Sequence, residues 1–172
     1  MGLLAFLRGY VSKHNVSSSS MRFVLLDYAI EEWKDAVLND LDHILTESLA
    51  STVTCEHCDV TIPPGEKHAH IWPLLETSDM FLTSYLLTET RDKWDAWFIQ
   101  LVGKAKEGAI FFFAEPLPWQ LHRLIRMSAS DSDPSPLQRL RFAWIDSSMN
   151  HLELQELDGR AGGPAILLAI KV

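Results

Sequence analysis

The chain has 172 residues, of which 47% are hydrophobic and 22% are charged, and its formal net charge is −8. This length is sufficient for one domain with a substantial core, and the composition is that of a globular protein. The excess of acidic residues argues against a surface that binds nucleic-acid phosphates. Two cysteines are too few for a disulfide framework and fit a reducing, cytoplasmic compartment.

Residues 1–20 differ in character from the rest of the chain. Their apolar run, Leu3 to Leu7, is too short for the core of a signal peptide, and four serines follow at 17–20. We interpret residues 1–20 as a leader with a serine-rich linker. A first helix that docks on the fold is an equally open alternative. Residues 21–172 are predicted to form a single α/β domain.

Four apolar segments predict strands, namely RFVLLDY from residue 22, AIFFFAE from 109, RLRFAWID from 139 and AILLAIKV from 165. Strands that are apolar on both sides need cover on both sides, so we predict a mixed β-sheet covered by helices. The last segment is too short to span a bilayer, and no membrane partner is expected.

The first strand is predicted to be central in the sheet. Phe23 and Leu25 should face one side and Val24 and Leu26 the other. Truncating Leu25 to alanine should then cost about 2–5 kcal/mol. Asp27 ends this strand and should cap the following helix by accepting backbone N–H bonds, with direct contact to a partner as the alternative.

Three segments predict helices. Residues 31–50 carry apolar side chains at helical spacing, and residues 78–105 look mostly helical. The segment PLPWQLHRLIRM from residue 116 predicts a third helix, with Pro118 in its first turn. In that helix Leu121, Leu124 and Ile125 should face inward.

The stretch TCEHCDVTIPPGEKHAHIWP, residues 54–73, contains both cysteines and three of the seven histidines. Pro63-Pro64-Gly65 is a strong turn signal, so we predict a hairpin with strands at 53–62 and 67–72. Alternation along these strands puts the histidines on the polar side and Cys58 on the apolar side. The predicted polar side consists of His57, Asp59, Thr61, His68 and His70.

Zinc is the alternative interpretation of this stretch, with Cys55, Cys58, His68 and His70 as ligands. Four ligands must converge on the metal at about 2.0–2.3 Å, and the predicted hairpin separates them. We therefore expect no metal and no other cofactor, with Cys58 buried. A redox role for the C-x2-C pair would need a helix that begins at Cys55, which the prolines oppose.

Partner binding is a further possibility raised by charge. From Asp27 to Glu47 the sequence has seven acidic residues and one basic residue. This acidic helix is either a solvated face or a docking face for a basic partner. The candidate partner-binding residues are Asp27, Glu31, Asp35, Trp72, His122 and Arg126.

The order of these segments resembles a known family, the bacterial type VI secretion effector chaperones, also called Tap or Tec adaptors. FVLLDYAI is similar to the strand and helix that open the N-terminal lobe of that family, and HIWPLLETS is similar to a later strand. The segment WDAWFIQLVGKAKEGAIFFFAEPLPWQLHRLIR is similar to its W-x-x-W helix, apolar strand and following helix. LRFAWIDSS stands where the family has a further strand, with Asp146 later than in the family pattern.

The resemblance implies an interaction protein without catalytic activity. A chaperone of this kind binds a toxin effector in the cytoplasm of the producing cell and helps to load it onto the secretion spike protein. The runner-up prediction is a small zinc-stabilised protein-binding or regulatory domain. Neither prediction includes a nucleic-acid partner.

Overall fold

The computed structural model describes residues 22–44, 53–62, 65–130, 135–145 and 165–172. It confirms the α/β class and the mixed sheet. By contacts the chain divides into two compact units, residues 1–59 and residues 60–172. The strands are β1 (Phe23–Asp27), β2 (Val53–His57), β3 (Met80–Ser84), β4 (Ile110–Glu115), β5 (Leu140–Ile145) and β6 (Ala165–Lys171). The helices are α1 (Ile30–Ile44), α2 (Trp72–Glu76), α3 (Leu86–Thr90), α4 (Asp95–Lys104) and α5 (Pro118–Ser128).

The first unit contains a parallel pair of strands joined through a helix. β1 pairs with β2 in a register that runs from Phe23 opposite Val53 to Asp27 opposite His57. The predicted helix at 31–50 is confirmed over Ile30–Ile44, and residues 45–50 lie outside the described part of the chain.

The prediction that β1 is a central strand is wrong for the described residues, where β2 is its one neighbour. All five β1 residues are half-buried, so neither of its faces is fully covered. An apolar run shows that a strand is shielded, but it does not show how many neighbours the strand has.

Asp27 accepts a backbone N–H as expected, but from Ala29, which lies before α1, so it does not cap the first turn of the helix itself. Its Oδ1 accepts hydrogen bonds from the backbone N–H of Ala29, at 2.7 Å, and from the indole Nε1 of Trp33, at 3.1 Å. The first bond forms a turn directly before α1, and the second ties that turn to the helix.

The predicted hairpin at 53–72 is wrong. β2 pairs in parallel with β1, Glu66–His68 forms a 3-10 turn, and Trp72–Glu76 forms α2. The turn signal is local, whereas the strand finds its partner across the α1 connection. Cys58 is buried as predicted, but His68 is only 2% exposed and does not belong to a polar surface.

The second unit contains a four-stranded sheet in the order β3-β4-β6-β5. β3 and β4 are parallel, and β6 is antiparallel to both β4 and β5. The strands predicted from residues 109, 139 and 165 are confirmed as β4, β5 and β6. β3 lies inside the segment that was predicted to be mostly helical. The strand was not predicted because an apolar run of three residues does not distinguish a short strand from a helix.

Helices α4 and α5 cover one face of this sheet with aromatic and aliphatic side chains. The ring centroid of Phe98 lies 6.0 Å from that of Phe111 and 5.4 Å from that of Phe113. As predicted, α5 has Pro118 in its first turn and fully buries Leu121 and Leu124, whereas Ile125 is half-buried.

We predicted that helices cover both faces of the sheet. The second face of this sheet is only partly covered. Met80 and Leu82 are 48% and 41% exposed. Their neighbours across the sheet are half-buried and apolar, namely Ile110, Phe112, Ile166, Leu168 and Ile170. In the described residues, no helix has the length and apolar character needed to cross a membrane.

Candidate protein-binding surface at the carboxyl edge of the sheet

Three large, exposed side chains follow the ends of the parallel strands β3 and β4. Tyr85 is 45% exposed, Leu117 is 43% exposed and Trp119 is 46% exposed. The Tyr85 N–H donates to the Ala114 carbonyl at 2.9 Å, which holds the two segments together. Carboxyl ends of parallel strands are where α/β proteins commonly bind ligands. With Arg91, these three residues form what we call the carboxyl-edge surface.

The backbone at this edge is strained. Tyr85 has φ of 64° and Arg91 has φ of 55°, and these two residues flank α3 at its start and end. Residues with a side chain adopt such angles at a cost, and they do so where the surrounding structure holds them. The carboxyl-edge surface is therefore a fixed arrangement with specific supporting contacts.

The first supporting contact is Glu115, at the end of β4, whose side chain is fully buried. Its Oε1 accepts the Leu87 N–H at 3.0 Å. Its Oε2 accepts the Thr88 N–H at 3.0 Å and the Thr88 hydroxyl at 2.8 Å. Burial raises the pKa of Glu115, and the hydrogen bonds from Leu87 and Thr88 oppose that rise. The carboxyl group thus fixes the start of α3 directly after Tyr85.

The second supporting contact is Gln120, a buried residue of α5. Its Nε2 donates to the Arg91 carbonyl at 3.3 Å, and its Oε1 accepts from the indole of Trp94 at 3.1 Å. Arg123, one turn further along α5, pairs with the carboxylates of Asp92 and Asp95. These contacts join α5, which carries Trp119, to the segment that carries Arg91.

The chemical groups of the carboxyl-edge surface are a phenol, an indole, a guanidinium and an isobutyl group. They can bind a partner by apolar contact, hydrogen bonds and cation–π contact. Tyrosine, tryptophan and arginine are also the residues that dominate the binding energy of protein interfaces. The arrangement is therefore suited to binding a protein segment.

Two of the six candidate residues from the sequence lie beside this surface. His122 follows Trp119 on α5 by three residues and Arg126 follows Trp119 by seven, so the three share one side of the helix. Arg126 is exposed and His122 is half-buried. The pKa of His122 is lowered by burial and by the charge of Arg126.

The other four candidates lie elsewhere. The prediction that Trp72 binds a partner is wrong. Its ring is buried against that of Trp97, with centroids 6.0 Å apart, and is not available for contact with a partner. The remaining three, Asp27, Glu31 and Asp35, belong to the first unit. Glu31 is exposed and pairs with Lys34, and Asp35 is exposed.

Sequence reasoning missed Tyr85, Leu117 and Trp119. One signal for Trp119 was present, since it lies two positions before Leu121 and so falls off the inward face of α5. Tyr85 gave no signal, because the strand that it follows was not predicted.

The described residues contain no group of three or more His, Cys, Asp or Glu side chains arranged to hold a metal ion. Thiolates are the form of cysteine that binds zinc. Burial raises the pKa of Cys58 to about 12, and the pKa of Cys55 is also raised by burial. Both shifts disfavour the thiolate. The predicted hairpin, which was the first argument against a zinc site, is wrong, so the expectation of no zinc now rests on these two raised pKa values.

We therefore expect protein purified without chelators to contain no stoichiometric zinc in elemental analysis. The Cys55→Ser variant should have the same metal content and the same stability as the wild type. One zinc per chain in the wild type, lost in this variant, would contradict the prediction.

Comparison with known proteins adds no relative, since neither a protein-family model nor a curated protein matches the chain.

Proposed function

We propose that this protein is a chaperone or adaptor that binds a type VI secretion toxin effector and helps to load it onto the spike protein. The observation that carries the binding role is the carboxyl-edge surface, with three large side chains exposed on a rigid support. The choice of a toxin effector as client rests on the resemblance of the sequence to effector chaperones. The role needs no catalytic activity and places the protein in the cytoplasm.

The mechanism that we propose is temporary cover of an apolar segment. Tyr85, Leu117 and Trp119 contact apolar side chains of the effector, which would otherwise be exposed to water. Glu115 and Gln120 hold these residues in place before the effector arrives, so little conformational entropy is lost on binding. The effector is then released to the spike protein.

The charge of the protein is consistent with this choice of partner. Glu31, Glu32 and Asp35 are exposed at the start of α1, where they can contact basic side chains of a protein client. The same acidic balance, a formal net charge of −8, opposes contact with nucleic-acid phosphates.

Trp119→Ala should weaken capture of the effector from the native host. An exposed aromatic anchor in an interface contributes about 2 kcal/mol or more, which corresponds to a loss of affinity of about 30-fold. Affinity capture on the tagged full chain, with quantitative mass spectrometry, measures the change. Tyr28→Ala is the matched control, because Tyr28 is an exposed aromatic residue of the first unit.

We expect a large toxin and a spike protein among the proteins captured by the wild type. Tyr28→Ala should capture them at the wild-type level, and Trp119→Ala should not. The proposal fails if neither class of protein is captured, or if the toxin is captured equally well by both variants.

A further inference from the structure

The strand β3 has an edge that its own sheet does not use. Among the described residues β3 pairs with β4 alone. The Ile110 N–H donates to the Asp79 carbonyl at 2.9 Å, and the Tyr85 N–H donates to the Ala114 carbonyl at 2.9 Å. Backbone groups of a strand point alternately to its two sides. It follows that the N–H and C=O groups of Met80, Leu82 and Ser84 point away from β4.

The strand β3 exposes two apolar side chains, Met80 and Leu82, and lacks the usual protection against pairing. The strand reads Met-Phe-Leu-Thr-Ser, with no charged residue and no proline. Met80 and Leu82, at 48% and 41% exposure, lie opposite Ile110 and Phe112 of β4. Those two residues lie opposite Ile170 and Leu168 of β6. Two apolar rows therefore run from β6 across β4 and end at the edge of β3.

We propose that the edge of β3 binds an extended segment of the effector as an added strand. The proposal rests on the proposed function, and it specifies how the client is recognised. Unpaired N–H and C=O groups at an edge match the backbone of an extended segment, whereas a helix has already paired its own backbone groups. Alternate apolar side chains of the added strand continue the rows that end at Met80 and Leu82. Because β3 leads directly into Tyr85, one client segment reaches both the edge and the carboxyl-edge surface.

Random twelve-residue peptides displayed on phage, selected on the immobilised full chain, provide the probe. We expect the selected peptides to have apolar residues at alternate positions and to lack proline. Each selected peptide is then synthesised and its affinity is measured by fluorescence anisotropy. N-methylation of alternate residues in one phase removes the donors that face β3 and should abolish binding. N-methylation in the other phase should have little effect.

Leu82→Pro is the matching change in the protein. It removes an N–H that points away from β4, and proline is tolerated at such a position of an edge strand. We expect a loss of peptide affinity of about tenfold or more, with the thermal transition close to that of the wild type. Leu82→Lys is a second variant, which keeps every backbone bond and places a charge on the edge. It should also lose peptide binding, while Leu82→Thr should retain most of it.

The outcomes separate this inference from the proposed function. Selected peptides with apolar residues at helical spacing, or binding that tolerates both Leu82→Pro and Leu82→Lys, would overturn the inference. The same holds if Leu82→Pro turns a wild-type dimer into a monomer, because a second copy would then occupy the edge. Toxin capture that depends on Trp119 but not on Leu82 leaves the proposed function standing without the added strand. Peptide binding in the predicted mode without toxin capture would support the added strand and contradict the proposed function.

Discussion

Replacing Phe111 by alanine should lower the free energy of unfolding by about 3–5 kcal/mol. Phe111 is fully buried on β4 between three other rings. Its centroid lies 4.7 Å from that of Phe81, 6.0 Å from that of Phe98 and 6.5 Å from that of Phe113. Truncation removes the ring and leaves a cavity that neighbours from three different elements cannot all move to fill. A domain of this size has only about 5–15 kcal/mol of stability, so a substantial fraction of the variant should be unfolded.

Denaturation in urea, followed by circular dichroism, measures the effect, and Leu25→Ala provides the comparison. Leu25 was expected to lie in a central strand, with a cost of about 2–5 kcal/mol. It is half-buried on β1, so its truncation should cost about 1–2 kcal/mol. If Leu25→Ala proved as costly as Phe111→Ala, the aromatic layer of the four-stranded sheet would not be the main source of stability.

The sequence predicted the parts of the fold that depend on local pattern. Residues 109–115 and 165–172 are long apolar runs bounded by turn residues, and both form the strands expected of them. Pro118 marked the start of α5 and the spacing of Leu121 and Leu124 marked its inward face. In these cases chemistry and periodicity within one segment are sufficient to define the element.

The parts that depend on long-range pairing were not predictable in the same way. Pro63-Pro64-Gly65 indicated a hairpin, but the partner of β2 is β1, thirty residues earlier in register. β3 has five residues and obtains its identity from pairing with β4. Since Tyr85 follows β3, missing the strand also hid the candidate surface. Burial of Trp72 and exposure of Trp119 likewise follow from tertiary contacts, because both are tryptophans near a proline at a helix start.

Glu115→Ala should cost about 3 kcal/mol of stability and should also weaken binding of the effector that we propose as client. The substitution leaves three donors without an acceptor, the N–H groups of Leu87 and Thr88 and the Thr88 hydroxyl. A buried donor without a partner costs about 1–3 kcal/mol, and the three costs are not additive. The start of α3 is then no longer fixed, so Tyr85 can leave its left-handed conformation. Affinity for the effector should therefore fall even at temperatures where the variant is folded.

Glu115→Gln separates the charge of this group from its shape. With its amide oxygen at the Oε2 position, glutamine can still accept the two hydrogen bonds from Thr88. The amide NH2 then replaces the acceptor of the Leu87 N–H and faces that donor. We expect a smaller loss of stability than for Glu115→Ala. The backbone conformation of Tyr85 and the affinity for the proposed effector should also change less. Equal losses of binding in the two variants at matched folded fraction would show that the position of Tyr85 does not depend on the remaining hydrogen bonds from Thr88.

The dependence of the free energy of unfolding on pH shows whether ionisation of the Glu115 carboxyl group stabilises or destabilises the folded protein. Burial raises the pKa of this carboxyl group in the folded protein above its ordinary value near 4.5. A raised pKa means that the folded state binds the proton more tightly than the unfolded state, so the contribution is fully present below 4.5. It is lost as pH increases through the raised pKa. Relative to Glu115→Gln, the wild type should therefore lose stability as pH rises across this window and change little above it. Because all other ionisable groups are common to both proteins, their titration largely cancels in the difference. A gain in relative stability over the same window would mean that the hydrogen bonds from Leu87 and Thr88 outweigh the cost of burying the charge.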